Sequence, residues 1–420
     1  MRDPSDALVN FMQGLATVDC HEHLPAERER IETQVDVLTL LSVYPWLDMH
    51  SAGRPSREGE TWAEGNICRD TSVPLQERWR EIWPYLQRVK HGSYYRATRI
   101  ALRDIYGVDD LNAETYVEAS RRIAEANRPG LYKRVLRDLC GIRTCLIQTG
   151  APDAWSTSEP RGLYTLTLPI APWYRFAPIE WITDLHVRAG QRVSTLDTYL
   201  ELLAAHLTKA RADGAVVLKM GTERYVPPDV GIARQAFGDA VSGAPPDPVL
   251  KATVLDFILQ RAAQWDMPVA IHTGVWDVVG MNPKLTIDFI EHHRGVRFEL
   301  YHLGIPSARD CTFIAKGYPN VFLNLSWCYI GSQEITRRAI GEIIDAVPVN
   351  KVFAFGGDHN LDVENVYGHL VMARETLAQA LSDRIGRGQL DLNGAKEIAG
   401  LWLHDNPSEF YRLPPTPIQR

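Results

Sequence analysis

From about residue 141 the chain alternates between short apolar runs and longer stretches with helical spacing. The runs are RTCLIQT (143–149), LYTLTLPI (163–170), AVVLKMG (215–221), PVAIHTG (268–274), RFELYHLG (297–304), VFLNLSW (321–327) and VFAFGGDHN (352–360). Each is rich in β-branched or aromatic residues, the pattern of a strand buried on both faces in a parallel sheet. Between them, TLDTYLELLAAHLTKARAD (195–213), VLKATVLDFILQRAAQW (249–265) and SQEITRRAIGEIIDAV (332–347) carry helical periodicity. LATVDCH (15–21) adds one more strand near the N-terminus. Eight strands alternating with helices, joined by right-handed crossovers, predict an α/β fold of the (β/α)8 barrel type.

Residues 24–130 break this rhythm. They are rich in Trp, Tyr, Arg and Glu, and PLQERWREIWPYLQRVK and YRATRIALRDIYG read as helices. They predict a helical insertion after strand 1, a lid over the barrel mouth, within a single domain spanning residues 1–420. Trp79, Trp83, Arg78 and Arg80, read as an exposed helical segment, suit a lid or a subunit interface and predict a homo-oligomer. The stretch YVPPDVGIARQAFGDAVSGAPPDP (225–248) is expected to form a loop after strand 4.

Composition narrows the function classes. The 420 residues are 45% hydrophobic, enough for a large core, and carry a net charge of −7. No basic tract or Arg/Lys-aromatic ladder occurs, which argues against nucleic acid as a partner. No apolar run approaches the ~20 residues of a membrane helix, and the N-terminus lacks a signal-peptide core. The six cysteines are scattered without a CxxC pair, which fits reduced, buried thiols in a cytoplasmic protein. A small-molecule substrate is the expected partner.

The candidate chemistry sits at strand ends. In CHEH, His21 and His23 flank Glu22 at the end of strand 1. Side chains at i and i+2 of a strand share a face. Both imidazoles should therefore point into the barrel, with Glu22 outward, at the C-terminal end where barrel active sites form. Taken alone, such a pair is better read as core or helix-cap histidines. Three later strands also end in metal-capable residues: His272 in AIHTG, His302 in LYHLG and Asp358 in FGGDHN. With only 13 histidines in 420 residues, their convergence on one barrel mouth points to a bound metal ion.

This constellation resembles the amidohydrolase superfamily: HxH after strand 1, His after strands 5 and 6, Asp after strand 8, and an ending, LWLHDNPSEFYRL, similar to that group's C-terminal helix. Two branches are similar in detail. The amidohydrolase-related group with nodulin- and FluG-type domains is matched in VVLKMGTERY, IHTG and FLNLSW. Uronate isomerase is matched in YYRATRIALRDIYGVDDLN and in LSWCYIG ahead of the strand-8 Asp. Uronate isomerases follow that Asp with Ser and Arg, where this chain has His359 and Asn360. The resemblance implies a metal-dependent hydrolase acting on a C–N or ester-like bond of a small polar, carboxylated substrate. Sugar-acid isomerisation and metal-dependent decarboxylation are the enzymatic alternatives, and a non-catalytic metal-binding barrel is the remaining one.

The resemblance also implies roles. His21, His23 and Asp358 are the first ligands and His272 the fourth, for one divalent ion: Zn²⁺ by donor chemistry, with Mn²⁺ or Fe²⁺ as alternatives. Asp358 also takes the proton from the attacking water. His302 is either a ligand to a second ion or, at a one-ion site, an acid and carbonyl polariser behind the ligands. Lys219, at the end of strand 4, is open to three readings: a carboxylated lysine bridging two ions, an ammonium gripping a substrate carboxylate, or a surface-loop lysine. Arg224 and Tyr225 could serve the same anion, and Trp327 could line the substrate pocket. Tyr301 reads as a packing residue, Trp276 flanks the site-bearing strands as a packing residue or part of the site, and His292 and His293 read as a helix end. His91, Tyr94, Tyr95 and Arg96 are candidates to reach into the mouth from the insertion.

Overall fold

All eight expected strands form one parallel sheet in chain order. They are β1 (Thr17–Glu22), β2 (Ile142–Gln148), β3 (Tyr164–Pro169), β4 (Ala215–Met220), β5 (Val269–His272), β6 (Phe298–Tyr301), β7 (Val321–Asn324) and β8 (Val352–Phe353). This computed structural model describes residues 4–61, 65–149, 162–176, 190 and 193–415. β8 is only two residues long, but the extended chain beyond it bonds to β1: Cys20 N–H donates to Phe355 O at 3.0 Å, and Asp358 N–H to His21 O at 2.8 Å. These bonds join the two ends of the sheet, giving a (β/α)8 barrel.

The barrel interior is filled by Val18, Cys20, Leu146, Val217, Ala270, Tyr301 and Phe353, with Phe410 and Tyr411 packed among them. Those last two come from the C-terminal segment, where Asn406–Phe410 is helical. Val18 and Cys20 face inward, so strict alternation would turn His21 the other way. The pairing of β1 with β2 instead shifts register between Asp19 and Glu22. A local irregularity of this kind re-aims side chains, as bulges next to active sites do. Glu22 is completely buried, not merely turned away from the interior.

Helices 196–212, 248–265 and 333–346 lie within a residue of the expected boundaries. The expected loop at 225–248 is instead partly a helix, Val230–Val241. Asp229 caps it by accepting from Ile232 N–H at 2.9 Å, and Ala233, Phe237 and Ala240 bury its inner face. The flanking prolines hide that short periodicity in the sequence.

Between β1 and β2 the chain forms helices Glu27–Glu32, Tyr44–Ser51, Leu75–Val89, Ser93–Tyr106 and Tyr116–Ala126. The expectation that Arg78 and Trp79 lie exposed is overturned. Arg78 is buried and paired with Asp36 at 2.5 Å. Trp79 is buried between Trp83 and Tyr116, its ring 4.8 and 4.5 Å from theirs. An apolar ring and a paired guanidinium gain more from this packing than from water, and the expected interface loses two of its four anchors, while Arg80 stays exposed and Trp83 half-buried. All six cysteines are buried and free. No helix of the described residues is long and apolar enough to cross a membrane.

The insertion is tied to the barrel by the long helix Val363–Gly386. A Cβ at Gly368 would strike the Ala97 carbonyl, so glycine there permits close contact between the two helices. Arg30 and Glu364, both fully buried, pair at 3.2 Å, and Arg30 also donates to Leu361 O and Asn127 Oδ1 at 2.5 Å. Arg30→Ala should cost about 3–5 kcal/mol, because it leaves a buried carboxylate without its partner. Urea unfolding measures this, and Arg30→Met combined with Glu364→Leu should lose much less.

Candidate metal centre

Asp358 organises the strand ends. Its backbone is left-handed (φ 60°), a conformation Asp tolerates better than most residues. Its carbonyl accepts from Tyr44 Oη–H at 2.5 Å. On either side, Gly357 N–H donates to Asp19 Oδ1 at 3.1 Å, and His359 N–H to Glu22 Oε2 at 2.7 Å. A Cβ at Gly357 would strike the Glu22 carboxylate. Held in this way, Asp358 Oδ1 lies 3.1 Å from His21 Nε2 and 3.4 Å from His23 Nε2.

His21, His302 and Asp358 each offer a ligand atom within 4.8 Å of the others'. His302 thus lies among the ligand-capable atoms; the sequence reading left it open as a ligand or as a group behind the ligands. Its left-handed backbone, φ 62° followed by 50° at Leu303, accompanies that inward placement. His272 joins through His302: its Nδ1 lies 3.2 Å from His302 Nε2. The tautomers follow from the partners. His302 Nδ1 is 3.1 Å from Ser326 O, and a carbonyl only accepts, so Nδ1 carries the hydrogen and Nε2 is a lone pair. His272 Nδ1–H then donates to that lone pair. This leaves His272 Nε2 as a second lone pair, buried and without a hydrogen-bond partner.

The electrostatics suit a cation. Burial, reinforced by the charge of Lys219, holds His21 and His272 down at about 3. Burial also lowers His23, and burial with neighbouring His272 lowers His302 well below its ordinary value. Burial alone would raise Asp358, but the imidazoles of His21, His302 and His23 hold it well below the usual carboxylate range. Neutral imidazoles facing an ionised carboxylate, with an unpartnered ring nitrogen beside them, fit a divalent ion bound through N and O donors.

Above this group opens a cavity of about 670 Å³ whose lining includes His23, His272, Asp358 and Lys219. Lys219 is buried, so the surface-loop reading is wrong: β4 turns it inward, and its Nζ lies 4.0 Å from the centre of the Tyr301 ring. Burial lowers Lys219 to about 8 against the pull of Asp358 and Glu299. Arg224 and Tyr225 are not brought to this cavity. Arg224 lines a separate one, and Tyr225 stacks on His292 at 3.8 Å, because the chain has already left the barrel mouth there. Trp327 does not line the cavity either. Its ring lies 5.9 Å from that of Trp276, which does, and 6.2 Å from that of His302. Of the four residues considered in the insertion, Tyr94 stacks on cavity-lining Tyr44 at 5.0 Å. Tyr95 bonds Asp110 and Arg96 pairs with Glu375, while His91 is exposed. His293 pairs with Asp256 at 3.1 Å, away from the centre. The sequence reading missed Tyr44, Gln148 and Arg175 in the lining. Gln148 and Arg175 follow the rule that sites form at strand C-termini; nothing local marks Tyr44.

The chain matches no known family profile. A stretch of 158 residues, 36% of the chain, is 24% identical to protein fluG of Emericella nidulans, of which it covers 18%. Among solved structures, the glucuronate isomerase of Caulobacter crescentus superimposes with a TM-score of 0.81 at 16% identity, over 99% of this chain and 95% of that one. The uronate isomerase of Thermotoga maritima gives 0.77 at 16% identity, over 97% of each chain. Its fold is that of the uronate isomerases. The same barrel, with a TM-score of 0.63 at 16% identity over 96% of this chain and 97% of the other, occurs in a Lactobacillus casei protein proposed to be a metal-dependent hydrolase. The resemblance read from HxH, the two later histidines and the final Asp therefore stands at the level of the uronate-isomerase fold.

One consequence concerns acid. Between about 3 and the ordinary histidine value of 6.5, the unfolded chain carries protons on His21 and His272 that the native state excludes. Stability of the chelated protein should therefore fall as pH drops through that window, by about 1.4 kcal/mol per pH unit for each histidine. Urea midpoints across this range test the sign, and His272→Gln should flatten the slope.

Proposed function

We propose that the chain is a metal-dependent hydrolase of the amidohydrolase superfamily, acting on a C–N or ester-like bond of a small carboxylated compound. The observation that carries this reading is the convergence of neutral His21, His23, His272 and His302 on ionised Asp358 at the cavity. His21, His23 or His302, His272 Nε2 and Asp358 would hold one divalent ion, with Zn²⁺ the first choice for this donor set and Mn²⁺ or Fe²⁺ the alternatives. Such an ion, when bound, lowers the pKa of a coordinated water from 15.7 toward ~7.

The chain's own groups supply the rest. Asp358 is fixed by its backbone bonds and accepts the proton of the attacking water. His302 is neutral at rest with its Nδ1–H on Ser326 O, so it acts through the Nε2 lone pair, as ligand or proton acceptor, and does not begin as an acid. Lys219 receives the substrate carboxylate. Tyr44 and Leu47, from the segment read as a lid, line the cavity and support a role for residues 24–130 in covering the substrate. Free buried thiols support a cytoplasmic location.

A second reading is sugar-acid isomerisation, in which Asp358 moves a proton between adjacent carbons. It draws support from the whole-chain likeness to the two uronate isomerases. Incubation with uronates, amides and lactones, with products identified by mass, separates the two: a hydrolysed product gains water, and a ketose forms without change in mass. Elemental analysis should find about one divalent ion per chain, lost in His21→Ala. Asp358→Asn should keep much of the metal and lose ~10²–10⁴ in turnover. Turnover within a few-fold of wild type, with metal confirmed, would reject Asp358 as the base.

A further inference from the structure

We propose that the cavity takes a carboxylate carried on an apolar, ring-sized body rather than a polyhydroxylated acid. This rests on the reading of the cavity as a substrate site. It narrows the substrate to a class that the names of the structural neighbours do not suggest.

Three observations carry it. The first is the wall: Tyr44, Leu47, Met220, Trp276 and Met281 line the cavity. Tyr44 is held flat by its stack on Tyr94 and by its bond to the Asp358 carbonyl. Trp276 is 56% exposed and meets Trp327 edge-on at 5.9 Å. An aromatic ring left in water at a cavity mouth gains free energy when a flat apolar body covers it.

The second is Lys219. It is 5% exposed, and among the described residues it has no carboxylate within salt-bridge distance; its close contact is the Tyr301 ring. A buried ammonium whose nearest carboxylates, Asp358 and Glu299, do not touch it remains costly, and an anionic ligand group in direct contact lowers that cost. The carboxylate would therefore lie at the Lys219 end, beside Asp358 and the histidines, with the body along the aromatic wall.

The third is how the polar lining is committed. His23, His272 and Asp358 belong to the candidate centre. Arg175 is bound to Glu223 Oε1 through Nε at 2.9 Å and Nη2 at 2.7 Å. Among the described lining side chains this leaves Gln148, Asn360 and the Trp276 indole N–H to serve the several hydroxyls of a sugar acid. Hydroxyls buried without partners oppose binding. The volume of about 670 Å³ suits a single small ligand.

Calorimetric titration of chelated and metal-loaded protein with 3-phenylpropionate, 3-phenylpropionamide and D-glucuronate tests this. Phenylpropionate should bind at least ~10-fold tighter than either of the others, the equivalent of one charge-assisted contact or one well-covered ring. Lys219→Met should erase the preference for acid over amide. Trp276→Ala should weaken phenylpropionate several-fold without moving the melting temperature, and it decides the matter if the buried Lys219 variant does not fold. Glucuronate binding as tightly as phenylpropionate, or wild-type affinity for phenylpropionate in Trp276→Ala, would overturn the proposal. Metal analysis of the same samples keeps the two readings apart. Protein that takes up no divalent ion when metal is offered, yet still selects phenylpropionate, refutes the hydrolase reading and supports this one.

Discussion

A carboxylate buried among imidazoles is the constraint on which the rest of this structure depends. Asp358 is removed from water, so its charge survives only if cationic or polar partners converge on it. The chain meets that requirement from two strand ends, with His21 and His23 at the end of β1 and His302 after β6 reaching the same side chain. The backbone is committed to the same end: Asp358 is left-handed, its N–H and carbonyl are both bonded, and its neighbours are bonded to Asp19 and Glu22. Those two acids are themselves buried. Burial raises Asp19 to about 6 and Glu22 well above its ordinary value, which suits two carboxyl groups sharing a proton. Acidic side chains behind the centre thus hold backbone, while those in front of it hold charge.

The barrel interior continues this axis downward. Tyr301 lies between Lys219, 4.0 Å from its ring centre, and His21, whose ring is 4.6 Å away. Below, Glu299 accepts from Tyr411 at 2.6 Å and Asn324 at 3.0 Å, which lower it, but burial dominates and raises it to about 7. Lys219 therefore has a weak anion beneath it and a strong one above, and its side chain faces the cavity. A barrel can stack such groups because its core is layered, with inward residues of neighbouring strands meeting at the same height.

The insertion acts on the centre through a few contacts. Tyr44 joins it to the carbonyl of Asp358, and Arg30 joins it to the helix that follows β8. A movement of the helices between β1 and β2 would shift the carbonyl that fixes Asp358. The cavity wall and the candidate ligand group are thereby mechanically coupled.

Much of this was legible in the sequence. The seven runs after residue 141, with LATVDCH, marked all eight strands, because a strand buried on both faces writes itself as an unbroken apolar run. The convergence of HxH, His272, His302 and Asp358 could be read because strand C-termini of a barrel share one mouth whatever their separation in the chain. Other features belong to the tertiary structure alone. The register shift in β1, the contact of His272 with His302, the burial of Lys219 and the departure of Arg224 and Tyr225 from the cavity each depend on backbone direction over two or three residues. Tyr44 reaches Asp358 from 314 positions away, and no local pattern encodes that contact. Periodicity determines which residues are buried together, since burial is a sum over many side chains; the aim of one side chain rests on a few dihedral angles, and only the packed chain sets those.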